Sequence, residues 1–262
     1  MSASRPLGVN LWIGATLGLV FSAGIARADD SRVPVIVELF SSEGCSSCPP
    51  ADALLRRLER TQPVPNARII ALEEHVDYWD QLGWKDPFSS AQFRFRQNDY
   101  ARIFGADSVY TPQMIVSGGA GFVGLDENQA FQEISKAAAR PAAIVRLHTM
   151  PNAKDPALID LVVDVKNESS RAESDILLAV TEENLSSSVQ RGENAGRTLR
   201  HAPVVRSFGV IGKLNPARSS SVQLSPTLKF PAEWRREALH AVVFMQEHNT
   251  RKIDGANIID LH

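Results

Sequence analysis

An apolar run and a cysteine pair, set close together, restrict the architecture more than anything else in this chain of 262 residues. The run, Val33-Pro-Val-Ile-Val-Glu-Leu-Phe40, is almost continuously apolar and rich in β-branched residues. That composition predicts a strand buried on both faces, as in a parallel sheet. Ser41-Ser42-Glu43-Gly44 follows, then Cys45-Ser46-Ser47-Cys48 and Pro49-Pro50. Beyond them Ala51, Leu54, Leu55 and Leu58 recur at helical spacing, with Arg56, Arg57, Glu59 and Arg60 on the other face. Proline suits a first helical turn, where its missing N–H leaves no bond unmade. The order is therefore strand, short loop, Cys-x-x-Cys at a helix N-terminus. Unpaired amides and the helix dipole favour a thiolate there. Cys45 is expected to be the exposed, attacking thiol and Cys48 the buried, resolving one. Glu43 acts against thiolate formation.

The pair holds the only two cysteines, too few for an all-cysteine zinc site or a disulfide-rich scaffold. A formal charge of −2 offers no electrostatic footprint for nucleic acid. Arg5, the uncharged stretch from Pro6 to Ala26, and Ala26-Arg27-Ala28 read as a secretory signal peptide over residues 1–28. An uncleaved membrane anchor is the alternative, but five glycines or asparagines (Gly8, Asn10, Gly14, Gly18, Gly24) dilute the run. Cleavage would leave 26 basic against 30 acidic residues and no further tie to a membrane. The expected location is periplasmic or secreted, where the cysteines oxidise readily. A purely stabilising bridge explains the spacing poorly, because so short a loop gains little from closure.

Further along, Arg68-Ile-Ile-Ala-Leu72 predicts a second strand, and Ser90 to Phe104 a helix with Phe93, Tyr100 and Phe104 on one face. Ser108-Val-Tyr-Thr-Pro-Gln-Met-Ile-Val116 leads into a Gly118-Gly119 turn and a return strand through Phe122-Val123. Asp126 with Gln129 forms a helix-capping pair, and Phe131, Ile134 and Ala138 stripe a helix that must end before Pro141.

This stretch resembles a thioredoxin fold: β–Cys-x-x-Cys–α, a crossover, then Thr111-Pro112 opening a hairpin before a last helix. The resemblance implies a cis proline at Pro112 beside the cysteines, its flanking backbone pairing with an extended substrate. It also implies that Glu38 accepts the proton of the resolving thiol. The long segment from His75 to Phe104 departs from the thioredoxin pattern and would reshape one wall of the site. More narrowly, Val37-Glu-Leu-Phe-Ser-Ser-Glu-Gly-Cys-Ser-Ser-Cys-Pro-Pro-Ala-Asp52 with His75-Val-Asp-Tyr-Trp-Asp80 resembles a family of exported bacterial thioredoxin-like proteins. That family is classed as a domain of unknown function.

His75 follows a predicted parallel strand as Cys45 does, and ligands gather beyond the carboxyl ends of such strands. His75, Asp77 and Trp79 are therefore candidates for the substrate crevice beside Thr111 and Pro112, unless they only cap a loop and cover core. No cofactor is expected. The alternative to catalysis is a metal- or ligand-binding protein, with Cys45, Cys48 and His75 as a copper trio, since soft thiolates suit Cu(I).

After Pro141 the periodicity changes. Residues 143–147, 158–165, 176–180, 204–208, 221–224 and 241–245 read as short strands separated by polar turns. The expected plan is a thioredoxin-like α/β domain over 29–141 followed by a β-sandwich-like domain over 142–262. Its most polar loop, Arg191-Gly-Glu-Asn-Ala-Gly-Arg197, is either a solvated loop between strands or one whose Glu193, Asn194 and Arg197 lean over the cysteines and help select the substrate. Together these features predict an exported thiol–disulfide oxidoreductase acting on thiols or disulfides of a protein partner.

Overall fold

Strand β1 (Val33–Ser41) is buried along nearly all its length because helices cover both its faces. Val35, Val37 and Leu39 meet Ala51, Leu54, Leu55 and Leu58 of α1 (Pro49–Thr61) and Ile134 and Ala137 of α3 (Glu127–Ala138). Ile36 and Phe40 point the other way, towards Phe93 and Tyr100 of α2 (Ala91–Phe104). Alternation along one strand thus feeds two separate cores, as its almost continuously apolar sequence predicts. The structure, a computed structural model, describes residues 31–140, 142–168 and 170–262. The signal segment expected at 1–28 lies outside them. Among the described residues no helix is long and apolar enough to cross a membrane.

Strand β2 (Ala67–His75) pairs in parallel with β1, bringing Leu39 beside Glu73 and Ser41 beside His75. It runs three residues beyond its apolar stretch, so Glu73, Glu74 and His75 are strand residues with buried side chains. Helix α2 starts at Ser90, whose Oγ accepts from the Gln92 amide at 3.2 Å, and ends on Gly105 in the left-handed region. Strand β3 (Gln113–Val116) runs antiparallel to β1 and pairs with β4 (Phe122–Val123). Asp126 caps α3 by accepting from the Gln129 amide at 2.9 Å, the pairing the sequence predicts.

The remaining strands are β5 (Ile144–Pro151), β6 (Ile159–Lys166), β7 (Ser174–Glu182), β8 (Ser186–Ser188), β9 (Thr198–Arg200), β10 (Val204–Leu214), β11 (Ser221–Leu224), β12 (Thr227–Leu228), β13 (Leu239–Glu247) and β14 (Ile253–Asp260). They do not form a domain of their own. Four of them extend the first sheet from the free edge of β2, giving the order β14-β13-β7-β10-β2-β1-β3-β4. The division expected at 141/142 is therefore corrected: residues 31–262 form one compact unit. The physical reason is that a parallel strand needs partners on both edges, and β10 supplies β2 with its second one. Strands β5, β6, β11 and β12 make a second sheet whose Val145, Leu161, Val163 and Val165 pack on Ile176, Leu178, Ala241 and Val243 of the large one.

The two halves also interlock at the β3–β4 turn. Gly118 has φ +68°, and a Cβ there would overlap the Arg251 carbonyl just before β14. Both the positive φ and the close approach require glycine. Gly118→Ala is expected to destabilise the protein by roughly 1–3 kcal/mol, read as a lower denaturation midpoint at unchanged slope.

Candidate functional site

Cys45 and Cys48 are joined by a disulfide with Cα atoms 5.4 Å apart, at the N-terminus of α1. Cys48 occupies the cap position, and the amides of Ala51 and Asp52 donate to its carbonyl. Both cysteines have no exposed surface. The expectation that Cys45 is exposed is thus corrected, and a loop far away in sequence is bonded to the backbone around it. Asn194 Nδ2 donates to the carbonyls of Glu43 at 2.9 Å and Cys45 at 3.0 Å. The Ser46 amide donates to Glu193 Oε2 at 3.0 Å, which holds that carboxyl below its usual range. Arg197 Nη1 donates to Asn194 Oδ1 and so orients the clamp. The loop rests on the segment after β2: at Gly192 even a Cβ would come within 3.2 Å of Trp84 Cβ, and on the cysteine loop a Cβ at Gly44 would come within 3.0 Å of Trp79 Cβ. The 191–197 loop does lean over the cysteine pair.

The acid beneath the pair is Asp52, not Glu38. Glu38 points to the α2 face, where its carboxylate accepts from Arg96 Nε and from the Tyr100 hydroxyl, both at 2.5 Å. That face is opposite to α1, so the proton role implied for Glu38 is corrected by strand alternation alone. Buried Glu74 joins Arg96 there, and burial together with Glu38 pushes its carboxyl well above the usual range. Asp52 lies one turn along α1 from Cys48, on the same helical face. Ser41 Oγ donates to its Oδ1 at 2.6 Å. Burial, aided by the charge of Glu73, lifts the Asp52 carboxyl to about 8.

Behind the cysteine loop runs a chain of buried carboxylates and imidazoles. Asp86 Oδ2 lies 2.7 Å from His75 Nδ1, and His75 Nε2 lies 3.0 Å from Glu73 Oε1. The same Glu73 oxygen is 3.0 Å from His201 Nδ1, and His201 Nε2 is 3.1 Å from Glu43 Oε1. Trp84 Nε1 donates to Glu43 Oε2, and the amides of Ala202 and Glu43 donate to Glu73 and Asp86. Burial disfavours charge on Glu73, Asp86, His75 and His201, and pairing overrides it. Glu73 falls to about 2 beside the two histidines, and Asp86 also falls. His201 rises to about 9 through Glu73 and Glu43, and His75 rises well above its ordinary value through Asp86 and Glu73. Both ring nitrogens of His75 face carboxylates, and the two sulfurs are bonded to each other. The alternative trio of Cys45, Cys48 and His75 is therefore not assembled here.

The other candidates divide. The Thr111–Pro112 peptide is cis. Pro112 lies beside the start of α1: a Cβ on Gly124 would sit 3.2 Å from Ala51 and 3.3 Å from Pro112. Trp79 Nε1 donates to Thr111 Oγ1 at 2.8 Å, so Trp79 bridges the cysteine loop and the proline turn. Asp77 turns away and pairs with Arg94 of α2 at 3.0 Å. Thr111, Pro112 and Trp79 are thus gathered with Cys45 and Cys48; Asp77 is not, and His75 lies buried in the chain behind.

Sequence reading passed over Asp52, Glu73, Asp86 and His201. Asp52 had a signal: it falls at i+4 from Cys48 on the apolar face that carries Leu55. Glu73 prolongs an apolar strand, which marks a carboxylate needing buried partners. His201 and Asp86 had none, since the loops that deliver them are positioned only by the sheet.

Among solved structures the chain is similar to a structural-genomics protein from Agrobacterium tumefaciens, at 25% identity and TM-score 0.67. That match covers 88% of this chain and 96% of the other. It is also similar to HBP35 of Porphyromonas gingivalis, at 14% identity and TM-score 0.61, over 88% of this chain and 76% of that one. No curated protein matches it. The family model described as "Protein of unknown function (DUF1223)" matches residues 36–246, and the chain belongs to that family.

Proposed function

We propose that this protein is an exported thiol–disulfide oxidoreductase of thioredoxin-like fold, exchanging its Cys45–Cys48 disulfide with thiols of a protein partner. One observation carries the reading: the disulfide caps α1 while Asp52, neutral at pH 7, lies buried one turn further on. The succession of β1, α1, β2, a cis Thr111–Pro112 peptide, the β3–β4 hairpin and α3 supports the thioredoxin-like part. A disulfide at this spacing suits an oxidising compartment outside the cytoplasm.

A partner thiolate attacks the Cys45 sulfur, a partner–Cys45 bond forms, and the Cys45–Cys48 bond breaks. Cys48 leaves as a thiolate and takes the proton of Asp52. A second partner thiolate then attacks the partner's own sulfur in the mixed disulfide and releases Cys45. The partner has lost two electrons to the pair, and the reverse sequence reduces a partner disulfide. Access to Cys45 requires the 191–197 loop to lift. The Thr111–Pro112 turn then offers its backbone to the extended partner.

Cys48→Ser should trap a mixed disulfide with a protein partner, and thiol buffers should interconvert the wild-type pair reversibly. A pair that resists reduction and traps nothing would instead leave a permanently oxidised binding module, a reading that the complete burial of Cys45 favours. Asn194→Ala removes two hydrogen bonds of about 1 kcal/mol each. It is expected to speed reduction of the disulfide by dithiothreitol by roughly tenfold, measured by thiol-specific alkylation. Asp52→Asn should slow that reduction, because Cys48 then leaves without a proton donor.

The same variant has a stability signature. The folded carboxyl binds its proton up to about pH 8, whereas the unfolded one releases it near its ordinary value of 3.8. Between those values the folded state holds more protons, so this group's contribution to stability falls as pH rises. Denaturation midpoints should therefore decline less steeply from pH 4 to 8 in Asp52→Asn than in wild type.

A further inference from the structure

Two imidazoles and one carboxylate converge at a fully buried point behind the cysteine loop. Glu73, His75 and His201 each turn one donor atom inward, and these atoms all lie within 4.8 Å of one another. The two rings meet edge to face with centroids 5.0 Å apart, and the Phe88 ring closes over both at 5.5 and 5.3 Å. The outward nitrogens are already committed: His75 Nδ1 to Asp86 at 2.7 Å, and His201 Nε2 to Glu43 at 3.1 Å.

Each imidazole offers one ring nitrogen to a carboxylate outside the cluster and the other to Glu73 inside it. When the outer nitrogen donates to its carboxylate, the inner one presents a lone pair. A divalent ion held at the inner point takes those two lone pairs and a Glu73 oxygen, and offsets the negative charge that Glu73 brings to a fully buried position.

We propose that Glu73, His75 and His201 bind one divalent transition-metal ion of the Zn²⁺ class. Two imidazoles and a carboxylate suit zinc, whereas magnesium and calcium demand shells of oxygen. Asp86 and Glu43 supply what metal-bound histidines almost always have, a carboxylate on the other ring nitrogen that fixes tautomer and orientation. Three protein donors leave the fourth tetrahedral position to water or a further side chain. The site uses neither cysteine, so it goes beyond thiol exchange and stands or falls separately from it.

The test equilibrates the purified full-length mature protein with Zn²⁺, removes free ion and measures bound metal. About one equivalent should remain, and Zn²⁺ but not Mg²⁺ should raise the melting temperature. Asp86→Asn should weaken Zn²⁺ binding by roughly 10–100-fold, and His201→Gln should lose it. Because buried variants can misfold, Co²⁺ replaces Zn²⁺ in the wild type. Visible ligand-field bands without thiolate-to-metal charge transfer are expected, unchanged in the Cys45→Ser/Cys48→Ser double variant. No retained metal in the wild type, a thiolate charge-transfer band, or full binding in a folded His201→Gln protein would each overturn the assignment.

Discussion

Everything around the cysteine pair is tied to the buried sequence of contacts Asp86–His75–Glu73–His201–Glu43. Its members come from four different places: the carboxyl end of β2, the segment that follows it, the turn between β9 and β10, and the loop that carries Cys45. Each group alone would be expelled from an interior by its desolvation cost. Together they are held, because every charge has an opposite neighbour at hydrogen-bond distance. Removing one member leaves its neighbours buried and unpaired, which costs more than the lost contact itself.

The same principle organises the reverse face of β1 and β2. Glu38, Glu74, Arg96 and Tyr100 form a second buried polar cluster against α2, and Gln246 of β13 joins it by donating to the Tyr100 hydroxyl at 2.9 Å. Two acidic clusters therefore flank one pair of strand ends, separated only by side-chain alternation. The cluster that shares its face with α1 reaches the cysteines, and the other fastens α2 to the C-terminal strands. This division explains why Asp52, rather than Glu38, lies below the disulfide. It also explains why the added strands cannot be a separable module. They supply His201 to one cluster, Gln246 to the other, and Asn194 to the carbonyl of Cys45.

Much of this was legible residue by residue. The β-branched run from Val33, the proline-started helix, the Asp126 cap and the helix from Ser90 follow from local propensity and periodicity, and those act within a few residues. The turn at Gly118 was legible for the same reason, since only glycine takes its backbone conformation freely. Strand β14 and the short β8–β9 hairpin escaped notice. The first has weak alternation, and the second, Ser186–Ser188 against Thr198–Arg200, spans a loop dominated by polar residues and glycine. Glu73, Glu74 and His75 read as the end of a strand because charge normally marks solvent. They instead extend the strand, since partners from distant segments neutralise them.

Local sequence is enough to place a Cys-x-x-Cys pair at the start of a helix after a doubly buried strand, a Thr-Pro further along the chain, and a β-rich segment after it. Each is a statement about neighbours along the backbone. Long-range packing alone selects which acid lies under the disulfide, bonds Glu193 and Asn194 to the backbone of the cysteine loop, and brings His75 and His201 together on Glu73. Those outcomes depend on which strand edge accepts β10 and on which face each side chain takes. Both are fixed by long-range pairing, and no local pattern encodes it.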